Sequence, residues 1–225
     1  MTHILSIDTS TSICSVALHT NGNLIAQTET FLDRSHSRNI AHMAEHILAL
    51  CEIYATNLDA YAVSAGPGSY TGMRIGTSTA KGFCFALDKP LVSVSSLYSM
   101  AAQLQHKQPG LIYAPMIDAR RMEVYTAVYD AQLQEISKEE ALILTESSYE
   151  ERLTHEKVLF GGDGSAKFKE ICFNSQAYFA TDAYPSAKFM GKKAFEKFQS
   201  QKFEDIAYFE PNYIKEFHTN SKVNS

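Results

Sequence analysis

The chain reads as an α/β protein built as two lobes on one repeated theme, and three observations predict it. Strand-like runs alternate with helical runs along the chain, the opening pattern restarts near the middle, and the composition is that of a globular protein. Of 225 residues, 45% are hydrophobic and 20% charged, near the averages for folded soluble domains. Disorder, collagen-like repeats and coiled coil are excluded as the dominant state. At this length folding buries roughly 70–75% of the extended chain's surface, enough for a core without disulfide or metal staples.

The elements follow in order. Ile4, Leu5 and Ile7 form a strand that stops at Asp8, and Cys14, Val16 and Leu18 alternate with small or polar residues in a second. Asn21-Gly22-Asn23 is a hairpin turn, and Leu24 to Phe31 runs back from it. Apolar residues at Ile40, Met43, Ala44, Ile47, Cys51 and Tyr54 follow the helical period, which predicts a helix over 37–54. A strand over 60–65, a Gly/Pro turn, a helix over 71–87 and a strand over 91–94 come next. Ser95-Ser96 then caps a third helix from Leu97. The polar stretch Gln105 to Gly110 marks the boundary between lobes, 1–105 and 106–225, the second smaller and degenerate with a tail frayed beyond about residue 217.

The second half restarts the theme. Leu111 to Ile117 is a strand ending at Asp118, and Glu123 to Tyr129 is another. With a constant offset of 110, Ile7-Asp8 falls on Ile117-Asp118, and Cys14, Val16 and Leu18 fall on Val124, Thr126 and Val128. This suggests duplication; the alternative is two unrelated hairpins that share an Ile-Asp strand end. A strand from Lys157 enters Gly161-Gly162-Asp163-Gly164 and a helical stretch, and a last helix is expected from Pro185 to about Ser200. A three-strand meander followed by alternating helices and strands, given twice, resembles the actin/Hsp70-like (ASKHA, RNase H-like) fold. In that fold each lobe presents an acid-bearing turn to nucleotide phosphates.

Charge and cysteines narrow the function. Twenty basic against 25 acidic residues give a net charge of −5, so unaided nucleic-acid binding is disfavoured, because such affinity comes mainly from neutralising phosphates. Cys14, Cys51, Cys84 and Cys172 form no ligand pair, and reduced, buried thiols are expected. The amino end has no basic region before its short apolar run, and no apolar stretch reaches the ~20 residues of a membrane span. A cytoplasmic protein is expected.

Several segments have the residue types of a chemical site. Asp8-Thr9-Ser10-Thr11 occupies the phosphate-turn position but lacks the glycine that lets backbone approach a phosphate, as does Ala119-Arg120-Arg121 in the second half. Asp8 and Asp118 are therefore expected to hold hairpin turns, with Asp8, Thr9, Ser10, Gly66 and Gly68 as vestiges of a phosphate loop. Gly66-Pro67-Gly68-Ser69-Tyr70-Thr71-Gly72 precedes a helix, the context for phosphate binding, yet it is no Walker A loop and Lys81 lies deep in the helix. Gly72, Gly76 and Ala80 recur every four residues as a smooth strip, which calls for another backbone close by. That partner is the first helix, the chain's own sheet, or a second subunit. His42-Met43-Ala44-Glu45-His46 matches the H-x-x-E-H pattern of zinc peptidases. Its histidines project opposite the apolar stripe, however, and no third ligand is evident. Neither G-x-S-x-G nor a Ser–His or Cys–His constellation is present. Lys188, Lys192, Lys193 and Lys197 read as a solvated helix face, and Tyr208-Phe209 as a segment docked on a lobe.

Read together, ILSIDTS from Ile4, GPGSYTGMRIGTSTAKG over 66–82, VSSL from Val94, IDARRMEVY from Ile117 and Pro211-Asn212-Tyr213 closely resemble the bacterial TsaB (YeaZ) family over essentially the whole chain. The resemblance implies an actin-like subunit of the machinery that makes threonylcarbamoyladenosine beside the anticodon of tRNA. It implies a non-catalytic scaffold that dimerises with TsaD and supports TsaE, an ATPase, and that meets tRNA only through the complex. The TsaD-like metal motif His-x-x-x-His is replaced here by Ser95-Ser96-Leu97-Tyr98-Ser99, and the Pro-x-Tyr-x-Arg ending carries Lys215 in place of arginine. The expected partner surface comprises Ile40, Met43, Ile47, Gly72, Ile75, Gly76, Thr79 and Ala80, shared with a homodimer when TsaD is missing. No cofactor is expected, although weak ATP or ADP binding at a subunit junction is compatible with the reading. An actin-fold small-molecule kinase is the first alternative and a zinc metallopeptidase the second.

Overall fold

In the computed structural model, residues 1–32 and 36–214 are described. The expected frayed tail and Lys215 lie outside them. The first three strands, β1 (His3–Asp8), β2 (Cys14–Thr20) and β3 (Asn23–Thr30), form an antiparallel meander around the Asn21-Gly22 turn. Helix α1 (His36–Leu50), strand β4 (Ala60–Ser64), helix α2 (Tyr70–Leu87), strand β5 (Leu91–Val94) and helix α3 (Ser96–Lys107) complete the first unit. The second contains β6 (Ile112–Asp118), β7 (Glu123–Tyr129), β8 (Glu135–Ile143), α4 (Glu150–His155), β9 (Val158–Gly161), α5 (Ser165–Ile171), β10 (Ala177–Ala180) and α6 (Gly191–Gln199).

The strand orders β3-β2-β1-β4-β5 and β8-β7-β6-β9-β10 are the same order written twice, and the antiparallel and parallel pairings correspond one by one. The duplication is real at the level of topology, but the constant offset is not. Asp8 pairs with Ser15, whereas Asp118 pairs with Val124, so the second turn is one residue shorter. A one-residue slip in a strand exchanges its faces: past the turn the offset matches like with like, since Cys14 and Val124 both face outward, but before it Ile7 faces outward and Ile117 the middle layer.

Alternation along the strands sorts side chains into three cores. Leu5, Ile7, Val16, Leu18, Tyr61 and Val63 face outward under α1 and α2, and Ala114, Met116, Val124, Val158 and Phe160 face outward under α4 and α5. Between the sheets lies a middle layer made of α3 and α6, which pack on Ile4, Ala60, Ala62, Val92, Tyr113, Ile117 and Leu159. The two middle helices are exchanged: α3, from the first unit, packs mainly on β6, β7 and β9, and α6, from the second, on β1, β3 and β5.

Helix boundaries follow local chemistry. Ser69 caps α2 by accepting from the Gly72 N–H, and Asp88 closes it in the left-handed region. Helix α1 ends at Leu50, short of the expected Tyr54, because Glu52 turns left-handed and Tyr54 opens a 3₁₀ turn over Ala55–Asn57. The last helix begins at Gly191 rather than Pro185, after a 3₁₀ turn over Ala187–Phe189. A Cβ at Gly191 would overlap the His19 ring, so this glycine lets α6 sit down on the first sheet. All four cysteines are free; Cys14 and Cys84 are buried, with thiols pushed up to about 12 by burial, while Cys51 and Cys172 are only half-buried. No helix among the described residues is long and apolar enough to cross a membrane.

His19 is buried, with Nδ1 3.2 Å from the Ser6 hydroxyl and Nε2 3.1 Å from the Lys188 carbonyl oxygen. Burial holds its pKa below the ordinary 6.5, although the carbonyls of Lys188 and Ile4 act in the opposite direction. The unfolded chain therefore takes up a proton at His19 before the folded chain does. Stability is expected to fall as pH drops below 6.5. His19→Gln, which does not titrate, should flatten that part of a denaturation series measured from pH 7 downward.

Candidate functional site

The two units face each other across a cleft of about 640 Å³. Its first wall is the β1–β2 turn at Ser10–Ser12 and the loop and helix start from Pro67 to Thr71; its second is the β6–β7 turn at Asp118–Arg120 with Asp163. Asn212 and Tyr213 of the C-terminal segment close one side. This is where an actin-like fold receives phosphates, so the state of its two acids decides what chemistry remains.

Asp8 is wholly buried. Its Oδ1 accepts from the Ser10 N–H at 2.9 Å and the Ser10 hydroxyl at 2.7 Å, while Oδ2 has no hydrogen-bond partner in bonding geometry. Burial pushes the carboxyl above the ordinary range, outweighing the lowering by Ser10. Asp118 is held the other way: burial would raise it, but the Lys167 ammonium at 2.5 Å, the Arg120 N–H and the Arg120 charge leave it below the ordinary carboxylate value. Lys167 also donates to the carbonyls of Arg121 and Glu123, both at 2.7 Å, so a side-chain cation is already locked onto this turn.

The glycine strip has an internal partner. A Cβ on Gly68 would overlap the Ser10 carbonyl, one on Gly72 the Thr9 carbonyl, and one on Gly76 the Thr9 hydroxyl. Thr9 Oγ1 donates to the Gly72 carbonyl at 2.7 Å and Ser69 N–H to the Ser10 carbonyl at 2.6 Å. The strip thus seats α2 on the β1–β2 turn. This corrects the expected partner surface: Gly72, Gly76 and Ala80 are buried within the chain, as are Ile40 and Ile47 in the core beneath α1. Of that set, only Met43, Ile75 and Thr79 are partly exposed. Gly66, expected as a phosphate-loop vestige, keeps φ of +93° against Met73 and the Asn212 carbonyl.

What remains on the α1–α2 face is a shallow groove of about 530 Å³ between Ser37 and the α2 residues Tyr70, Thr71, Arg74, Ile75, Ser78 and Thr79. Sequence reasoning missed its polar centre. The Arg74 guanidinium lies 4.1 Å from the Tyr70 ring centroid, its Nε donates to the Tyr213 hydroxyl at 3.4 Å, and the two tyrosine rings are 5.0 Å apart. Lys81 donates to the carbonyls of Ala207 and Phe209 at 3.3 and 3.1 Å, pinning the C-terminal segment along α2. Phe209 enters the core under α2, while Tyr208 is exposed. The Pro211-Asn212-Tyr213 motif was the available signal, but nothing in the sequence pairs it with Arg74.

The other candidates resolve simply. His42 and His46 are exposed, His42 stands 3.8 Å from Glu45, and no group of three or more metal-ligating side chains occurs among the described residues. Ser95 caps α3 through the N–H groups of Leu97 and Tyr98 and donates to Glu139. Ser96 and Ser99 are buried, hydrogen-bonded to Ser64 and to the Ser96 carbonyl. Lys197 is not part of a solvated face: it is partly buried, donates to Ser93 at 3.1 Å, and burial lowers its pKa.

Duplicated sheets with paired acidic turns over a shared cleft define an actin-like, ATPase-type fold. The activator of 2-hydroxyisocaproyl-CoA dehydratase from Clostridium difficile shares it, at 11% identity and a TM-score of 0.50 over 89% of this chain and 97% of that one. YeaZ from Pseudomonas aeruginosa is similar at 25% identity and a TM-score of 0.82, covering 95% of this chain and all of its own. The family model "TsaD: tRNA N6-adenosine threonylcarbamoyltransferase" matches residues 29–222. The tRNA threonylcarbamoyladenosine biosynthesis protein TsaB of Bacillus subtilis is 34% identical over 75% of this chain and 74% of its own length. The chain belongs to the TsaB (YeaZ) family, within the wider group described by the TsaD model, and has a role in threonylcarbamoyladenosine biosynthesis.

Two substitutions test this account. Asp8→Asn keeps an acceptor for Ser10 and can donate toward the Ser64 hydroxyl, so it should raise the thermal midpoint. Because the folded carboxyl retains its proton to higher pH than the unfolded one, the gain should be absent below pH 3.8 and grow above it. Gly72→Ala in the isolated chain should lose about 1–3 kcal/mol in urea denaturation from overpacking against Thr9.

Proposed function

We propose that this chain is a non-catalytic subunit of a threonylcarbamoyladenosine-forming complex, pairing with a TsaD subunit through the α1–α2 face and supporting TsaE within that assembly. The observation that carries the non-catalytic reading is the state of the two turn acids. Asp8 is buried and capped by Ser10, and Asp118 accepts through Oδ1 from the Lys167 ammonium, whose charge opposes a divalent cation beside it. A small-molecule kinase of this fold needs at least one of them. Among the described residues no third ligand joins the histidine pair on α1, so a zinc peptidase has no support there.

The partner face is supported by the groove beside Arg74. Arginine and tyrosine dominate interface energetics when a partner excludes water from them, and here they stand already ordered by stacking and one hydrogen bond. With a net charge of −5, the chain is suited to reach tRNA through its partners. Its place is the cytosol, where tRNA is modified.

Ser78 is exposed at the groove, so Ser78→Arg should leave the unfolding midpoint unchanged while TsaD and TsaE no longer co-purify. Retention of TsaD by Ser78→Arg would refute the assigned face. A chain that forms only homodimers through it, with TsaD present in excess, would refute the heterodimer.

A further inference from the structure

A second cavity, of about 370 Å³, opens beside the start of α3 and shares no lining residue with the cleft. Two tyrosines border it, Tyr98 of α3 and Tyr129 of β7, edge to face with ring centroids 6.0 Å apart. Tyr98 is only 6% exposed, yet its hydroxyl makes no hydrogen bond among the described residues. A buried tyrosine hydroxyl ordinarily finds a partner. The buried polar atoms sealed off without one are Asp8 Oδ2, His36 Nδ1 and Thr77 Oγ1. The Tyr98 oxygen is not among them, so the little surface it keeps opens on this cavity.

The walls of the cavity carry opposite charge. Glu135 and Glu139 come from β8, and Lys193 and Lys197 from α6. Each lysine pairs on its own side: Lys193 Nζ stands 3.6 Å from Glu196 and 5.3 Å from the Tyr98 ring centroid, and Lys197 Nζ 4.0 Å from Glu204. No ion pair among the described residues crosses the cavity to Glu135 or Glu139. Glu135 accepts from the Glu139 N–H at 3.2 Å, and Glu139 from the Ser95 hydroxyl and, at 3.3 Å, from the Asn212 side-chain amide. An ionised carboxylate offers about four acceptor positions, so both keep capacity for a further donor. Burial holds Glu139 above its ordinary range, a shift that a cation beside it would reverse. Val94 and Leu133, 1% and 6% exposed, add apolar surface to the lining.

We propose that this cavity binds a free α-amino acid with a neutral side chain, taken as its zwitterion. The ligand carboxylate accepts from the Tyr98 hydroxyl and the Lys193 ammonium, the ligand ammonium donates to Glu135 and Glu139, and the side chain rests on Val94 and Leu133. A simple anion or a simple cation would leave one wall unmatched, whereas an α-amino acid carries both charges on a frame small enough for this volume. The site belongs to the chain alone and stands apart from the assignment of its protein partner.

The test uses the purified full chain, titrated with L-alanine, L-valine and L-leucine by calorimetry and thermal unfolding. At least one should bind, while its N-acetyl form, which lacks the ammonium, and its amide, which lacks the carboxylate, should each bind about tenfold more weakly or worse. Tyr98→Phe removes a hydroxyl that the unliganded chain does not use, so the midpoint without ligand should stay where it is. Its affinity should nevertheless fall about tenfold, the loss expected for one hydrogen bond to a charged group. Glu135→Gln and Lys193→Gln, at opposite walls, should weaken binding similarly with little effect on the unliganded midpoint, since Glu135 is exposed and Lys193 partly so. Separate losses of binding and stability would not arise from merely structural side chains. No heat with any of the three amino acids, blocked forms that bind as well as the free one, unchanged affinity in Tyr98→Phe, or a lowered midpoint of that variant without ligand would each overturn the proposal.

Discussion

Everything in the first lobe depends on how closely α2 settles on the β1–β2 turn. Three positions without side chains, Gly68, Gly72 and Gly76, face the Ser10 and Thr9 backbone and the Thr9 hydroxyl, and two hydrogen bonds lock the contact. The approach that a phosphate would need is thereby taken by the protein itself. Once the turn is filled, Asp8 is shut in behind it, and burial pushes its carboxyl above the ordinary carboxylate range. Glycines that would signal a ligand loop in another context serve as packing surface here.

The second lobe meets the same problem with different atoms. Its turn is shorter by one residue and more open, and Lys167 reaches back from α5 to hold Asp118 and two turn carbonyls. One lobe encloses its acid by burial and the other pairs it with a cation. Both arrangements tie the turn acids to groups of the chain itself. The Arg74, Tyr70 and Tyr213 cluster sits at the junction of α2 with the C-terminal segment, so it joins residues 139 positions apart in the sequence.

Much of this architecture was legible in the residues. The meander, α1, α2 and the strand after Gly110 follow from periodicity and turn chemistry, and the repeated Ile-Asp strand ends point to duplication. Strand β8 was not legible: Glu135-Ile136-Ser137-Lys138-Glu139-Glu140-Ala141 is rich in helix formers, and only pairing with β7 at the sheet edge makes it a strand. The site was legible in identity but not in orientation. The glycine strip, Asp8 and the Arg120-Arg121 pair all stand out in the sequence. Whether Gly72 faces a partner or Thr9, however, depends on where a turn more than sixty residues away comes to rest, and no local pattern encodes that. The lysine row and two of the four cysteines depart from expectation for the same reason, because burial of Lys197 or the partial exposure of Cys51 and Cys172 is decided by neighbours distant in sequence.

The exchange of α3 and α6 across the two sheets bears on how the two halves assemble. Each half, cut at the connection after Lys107, would carry an apolar helix with its main seat in the other half. Neither fragment would be a self-sufficient folding unit, yet the pair would be complementary. Each half would complete the other's middle layer, because each supplies the helix that the other's sheet lacks.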